Sequence, residues 1–108
     1  MDPLEPPLAC ILGAVPEAER SAHVTLASEL FGRRVQERQD VPHGYSFRFS
    51  PDTLAELARF LTNERRCCPF LLFDIAIASN GGPVWLHVTG PEGTREFLAA
   101  ELPGFDSN

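Results

Sequence analysis

The chain contains no lysine: its nine basic residues are all arginine, against fifteen acidic residues, and the formal net charge at pH 7 is −6. Clustered positive charge favours non-specific binding to nucleic acid and to anionic membranes. This charge balance therefore predicts that neither is a partner. The chain also lacks any apolar run near the roughly 20 residues that span a bilayer.

The first seven residues, M-D-P-L-E-P-P, lack the basic and apolar pattern of a secretory or transit peptide. They predict an extended tail at 1–7, followed by a single domain at 8–105, because the chain has the length of one domain. We predict a cytoplasmic location, where thiols stay reduced. The three cysteines are then either buried apolar residues or a reactive or metal-binding group, and not a disulfide framework.

Hydrophobic periodicity and turn residues predict eight elements, in the order strand, helix, strand, strand, helix, strand, strand, helix. The predicted strands are 8–12, 35–39, 45–49, 70–78 and 84–89, and the helices are 16–32, 51–68 and one that begins after 93. The first six elements match a ferredoxin-like βαββαβ arrangement, here extended by a further strand and helix. We predict a two-layer α+β domain with helices on one face of an antiparallel sheet.

Asn80-Gly81 predicts a two-residue hairpin turn, and this turn fixes the register of the strands on either side. The predicted pairs are Ile77–Val84, Ile75–Leu86, Phe73–Val88, Asp74–His87 and Ala76–Trp85. Because the large aliphatic side chains then share one face, the turn and the apolar pattern agree.

The opposite face of this hairpin carries the other candidate groups. Asp74 beside His87 could orient an imidazole as a general base, or the two could form an ordinary cross-strand pair. The sequence predicts no Ser or Cys nucleophile on this face, which favours the ordinary cross-strand pair. Phe70, Leu72 and Trp85 would form an exposed apolar patch there, so we predict a homodimer through this open face with Trp85 central.

Two adjacent cysteines occur in the segment E-R-R-C-C-P-F at 64–70. Cys67 and Cys68 close the second helix, which Pro69 ends, and a central first strand would bring Cys10 towards the same point. Thiolate sulfur prefers soft metals. Three thiolates match a trigonal site for trivalent arsenic, and two match a near-linear site for mercury or cuprous copper. Zinc needs a fourth ligand, for which Glu64 or one of three scattered histidines is available.

The segments A-C-I-L at 9–12, E-R-R-C-C-P-F at 64–70 and V-T-G-P at 88–91 together resemble a family of small, largely uncharacterised bacterial proteins. Similar segments occur alongside mercury-type metal-responsive regulators, and the resemblance spans most of the chain. It implies that Cys10, Cys67, Cys68 and Glu64 act as a group in handling a soft metal.

The predicted function is therefore a small cytoplasmic protein that binds a soft metal or metalloid through a cysteine cluster. Two alternatives stay open. One is a thiol-dependent redox enzyme or transferase in which Cys67 attacks and Cys68 or Cys10 resolves, although a helix C-terminus disfavours the thiolate. The other is a non-catalytic dimeric interaction domain with structural cysteines. No ligand-spaced partner is expected for His23 or His43.

Overall fold

The computed structural model describes residues 11–102, so the predicted tail at 1–7 and Cys10 lie outside the described residues. This part of the chain forms three helices, α1 (Arg20–Glu29), α2 (Leu54–Cys67) and α3 (Thr94–Glu101), and four strands, β1 (Glu37–Val41), β2 (Gly44–Phe49), β3 (Leu72–Ile77) and β4 (Val84–Thr89). Short 3₁₀ turns precede α1 and α2, and a π-helical turn at Leu30–Arg34 follows α1. None of the described helices is long and apolar enough to cross a membrane.

The four strands form one antiparallel sheet in the order β1-β2-β4-β3. The predicted α+β class with an antiparallel sheet is therefore confirmed. The strand order differs in one respect from the ferredoxin-like expectation, because β4 pairs directly with β2 and takes the central place expected for the first strand. Of that predicted strand, Ile11 is irregular and Leu12 begins a 3₁₀ turn, while 8–10 lie outside the described residues.

The main core lies between the helices and one face of the sheet. Alternate residues of β2 and β4 point into it, so that Phe47, Phe49 and Leu86 are at most 1% exposed. Five side chains from the helical segments pack against them: Leu30, Phe31, Leu57, Phe60 and Leu98. Edge-to-face contacts join Phe31 to Phe47 at 5.1 Å and to Phe60 at 5.3 Å between ring centroids, an arrangement that aromatic rings prefer.

A second, smaller cluster lies where α2 ends. It contains Val15, Cys67, Cys68 and Phe70, and Phe97 of α3 packs against it. Phe70 is 7% exposed and meets Phe97 edge-on at 5.0 Å. The expectation that Phe70 lies on the open sheet face is therefore wrong, because β3 begins only at Leu72 and the chain still turns inward at Phe70.

The hairpin of β3 and β4 has the predicted register, with Ile77 opposite Val84 and Asp74 opposite His87. Asn80 and Gly81 have φ values of 59° and 70°. A two-residue turn that matches the right-handed twist of the flanking strands requires a positive φ at both central residues, and Asn-Gly adopts these values at low cost. The local turn chemistry thus explains why the register could be predicted.

We expect Gly81→Ala to lower the free energy of unfolding by about 1–2 kcal/mol, because a side chain is disfavoured in the left-handed region. Chemical denaturation measures this loss. Gly13→Ala is the matched control, since φ is ordinary there and an added Cβ meets nothing within 4 Å. An equal loss in both variants would show that the turn conformation is not the cause.

Candidate metal centre

The end of α2 positions Glu64, Cys67 and Cys68 on one side of the chain. Residues three and four apart lie on the same face of a helix, and the Cys68 N–H still donates to the Glu64 carbonyl at 2.7 Å. Cys68 itself leaves the helix, with φ −122° and ψ 77°. The orphan carbonyl of Cys67 accepts from the Ile11 N–H at 2.7 Å, which satisfies a group that helix ends leave unpaired.

These three residues bring their donor atoms close together. One carboxylate oxygen of Glu64 and the two sulfur atoms all lie within 4.8 Å of one another. Cys67 is 5% and Cys68 0% exposed, and the Glu64 side chain is 12% exposed. Metal–sulfur bonds are about 2.3 Å, so donors at this separation can surround a single ion. Within residues 11–102, this is the one group of three such side chains that could hold a metal.

The two cysteines differ in oxidation state. Cys67 is a free thiol, whereas Cys68 is disulfide-bonded. The expectation that all thiols are reduced is therefore wrong for this structure, because sequence pattern does not reveal which sulfur atoms approach each other. Cys68 Sγ lies 3.4 Å from Glu64 Oε2. A disulfide sulfur carries no proton, so this is a contact and not a hydrogen bond.

His23 belongs to the site, although the sequence predicts no partner for it. Its Nε2 lies 2.9 Å from Glu64 Oε1, and its ring stacks on Phe60 at 5.2 Å between centroids. One sequence signal could have indicated its burial: His23 shares a helical face with Leu26, Ala27 and Leu30. The pairing with Glu64, 41 residues away, depends on tertiary packing alone.

Burial controls the electrostatics of the site. Burial raises the pKa of Glu64, and the hydrogen bond and charge of His23 partly oppose this. Burial also raises the pKa of the Cys67 thiol, the neighbouring Glu64 carboxylate raises it further, and Glu101 adds to the effect. The Cys67 thiol is therefore protonated at neutral pH, which is unfavourable for a thiolate nucleophile. A metal ion that binds there must displace the proton.

The raised pKa of Glu64 makes stability depend on pH. A carboxyl whose pKa is higher in the folded than in the unfolded protein stabilises the fold below the unfolded value, near 4.5. That contribution is lost as the pH rises through the folded value. We expect the free energy of unfolding of the wild type, relative to Glu64→Gln, to fall as the pH rises from 4 towards 7, as measured by urea denaturation. A relative stability that rises over this range would contradict the burial argument.

The open face of the sheet holds a second polar group. Ser46 Oγ lies 2.5 Å from His87 Nδ1, and Asp74 occupies the facing position on β3. The expectation that this face carries no serine is therefore wrong, because β2 pairs with β4 and brings Ser46 beside His87. Ser46 is only 2% exposed, so its hydroxyl orients the imidazole and is not presented to a substrate.

No protein-family profile matches the chain, and no curated protein or solved structure is significantly similar to it. A fold of this class hosts many unrelated functions. The chemistry of the donor cluster is therefore the guide to function.

Proposed function

We propose that this protein binds a soft metal or metalloid ion through Cys67 and Cys68, with Glu64 as a further ligand. The observation that carries the proposal is the convergence of these three donor atoms within 4.8 Å at the end of α2. Cys10, which lies outside the described residues, is proposed as an additional thiolate. The resemblance to small bacterial proteins with the E-x-x-C-C-P-F pattern favours the same chemistry.

The donor set favours mercury, cuprous copper or trivalent arsenic. Thiolates select soft ions, and these ions accept low coordination numbers. Structural zinc would need all four of the proposed donors, whereas these soft ions need only two or three of them. A reducing cytoplasm, which we propose as the location, would open the Cys68 disulfide and make both thiols available.

Binding is favoured over thiol catalysis by the electrostatics of Cys67. Catalytic cysteines have a lowered pKa and lie in electropositive surroundings. The pKa of Cys67 is raised by burial and by the carboxylates of Glu64 and Glu101. A soft cation would neutralise this accumulated negative charge when it replaces the thiol proton.

Anaerobic titration of the reduced protein with arsenite, cuprous and mercuric ions tests the proposal. At least one ion should bind with 1:1 stoichiometry. The Cys67→Ser/Cys68→Ser double variant should lose that binding, whereas Arg65→Ala, on an exposed residue of the same helical turn, should keep it. Equal affinity in the wild type and the double variant would reject a metal site at these cysteines.

We also propose a homodimer through the open sheet face. Trp85 lies there between Arg48 and Ala76, and Leu72 on the same face is 60% exposed. Trp is the residue type that most often dominates the energy of an interface. Sedimentation at micromolar concentration should show a dimer that Trp85→Ala dissociates. A monomer whose sedimentation is unchanged by this substitution would reject the proposal.

A further inference from the structure

A pocket of about 350 Å³ opens beside the free thiol of Cys67. Part of its lining is polar, from His23, Glu64 and Cys67. Another part is apolar and consists of Leu12, Val24, Ala27 and Leu102. The thiol therefore faces a space with both donor atoms and an apolar wall.

The apolar wall is incompletely covered. Val24 is 51% and Leu12 44% exposed, and both belong to the few large apolar side chains that the described fold leaves at the surface. An organic group in the pocket would remove apolar surface from water, which is favourable. An apolar cavity of about 150 Å³ is enough to hold benzene, so this pocket has room for a ring of that size.

The charged groups of the pocket select a cation. The carboxylates of Glu64 and Glu101 both line it, and no arginine does. His23 is the one basic side chain in the lining, and its Nε2 lies against Glu64. An anionic ligand would meet two carboxylates without a counter-charge, whereas a soft cation would pair with them.

The oxidation state of the cysteines restricts the ligand further. With Cys68 in a disulfide, the pocket offers one thiol, that of Cys67. A bare soft ion seeks two or three thiolates. An ion that already carries one bond to carbon needs a single thiolate to complete a linear pair of bonds.

We infer that the pocket binds an organomercurial cation, R–Hg⁺, with Cys67 Sγ on the mercury and the organic group R against Leu12 and Val24. This inference rests on the proposed function in taking Cys67 as a soft-metal ligand, and it adds the class of ligand.

The binding step is a ligand exchange. The Cys67 thiol and R–Hg–X give Cys67–S–Hg–R and HX: the S–H and Hg–X bonds break, and one S–Hg bond forms. The proton and X⁻ leave to solvent, and no atom changes oxidation state. Neither an oxidant nor a reductant is needed, so the Cys68 disulfide stays intact.

The test is a competition between phenylmercury and methylmercury, mixed in equal excess with the oxidised protein and read by native mass spectrometry. The quantity measured is the ratio of bound phenylmercury to bound methylmercury. N-acetylcysteine, measured separately, gives this ratio for a thiol without a pocket. We expect the protein to favour phenylmercury about tenfold more than N-acetylcysteine does, because the phenyl group buries more apolar surface.

Two double variants locate the effect. Leu12→Ser/Val24→Ser should bring the ratio close to that of N-acetylcysteine, whereas Ile75→Ser/Ile77→Ser, which changes exposed residues of β3 outside the pocket, should keep the wild-type ratio. Far-UV circular dichroism checks that both fold. A wild-type ratio equal to that of N-acetylcysteine, or one that the pocket variant leaves unchanged, overturns the inference.

Arsenite titration of the reduced protein separates this outcome from failure of the proposed function. If arsenite binds through Cys67 and Cys68 while the phenyl preference is absent, the pocket inference is wrong and the metal site stands. If arsenite and cuprous ions fail to bind the reduced protein while the phenyl preference follows the pocket variants, the proposed site of two cysteines is wrong and the pocket inference stands.

Discussion

Opening the Cys68 disulfide with a reductant should increase the affinity for arsenite by more than about tenfold, or about 1.4 kcal/mol, because it adds a soft ligand to an incomplete site. Oxidised protein offers the ion one thiol, from Cys67, and the Glu64 carboxylate. Reduction gives a second sulfur atom within 4.8 Å of both. Anaerobic competition titrations before and after reduction, with the reductant removed, measure the change.

Cys68→Ser provides the control for this prediction. The substitution removes the second sulfur atom and leaves Cys67 and Glu64 in place. The variant should show no gain in arsenite affinity after treatment with reductant. Equal affinity of oxidised and reduced wild type would show that Cys68 is not a ligand.

Phe60→Ala should lower the free energy of unfolding by about 3–5 kcal/mol, as expected for a buried phenylalanine. Phe60 is 1% exposed, meets Phe31 edge-on at 5.3 Å and stacks on His23 at 5.2 Å between ring centroids. Its ring therefore connects the main core to His23, whose Nε2 atom pairs with the Glu64 carboxylate. Small domains have a total stability of about 5–15 kcal/mol, so this loss takes a large share of it.

Chemical denaturation followed by circular dichroism measures the effect of Phe60→Ala. Ile77→Ala is a suitable control, because Ile77 is 61% exposed on β3 and surface substitutions usually change stability by less than about 0.5 kcal/mol. A loss below about 1 kcal/mol for Phe60→Ala would mean that the core closes around the missing ring.

The parts of the fold that could be predicted are those governed by local chemistry. Asn80-Gly81 fixes a turn, and the turn fixes the register of β3 and β4. Alternation identifies the buried face of β4, but on β3 Ile75 and Ile77 of the same face stay 39% and 61% exposed. Helix α2 could be predicted because Pro51 begins the 3₁₀ turn that leads into it and Pro69 follows its end. In both cases neighbours in sequence determine the conformation.

The parts that could not be predicted depend on contacts between distant segments. His23 with Glu64 and Ser46 with His87 are each 41 residues apart, and neither pair has a local pattern. The central place of β4 likewise depends on which strand pairs with β2. Of the predicted ligands, the structure brings Glu64, Cys67 and Cys68 together, because they follow one another along a single helical turn.

The hydrogen bond from the Ile11 amide to the Cys67 carbonyl gives the protein a built-in reporter. An amide proton shifts its resonance frequency when the carbonyl that accepts it moves or changes polarisation. Ile11 lies next to Cys67, one of the proposed ligands, yet it contributes no ligand atom itself. Its ¹⁵N–¹H signal should therefore follow occupancy of the site in a spectrum of the unmodified protein, without a dye or an engineered label.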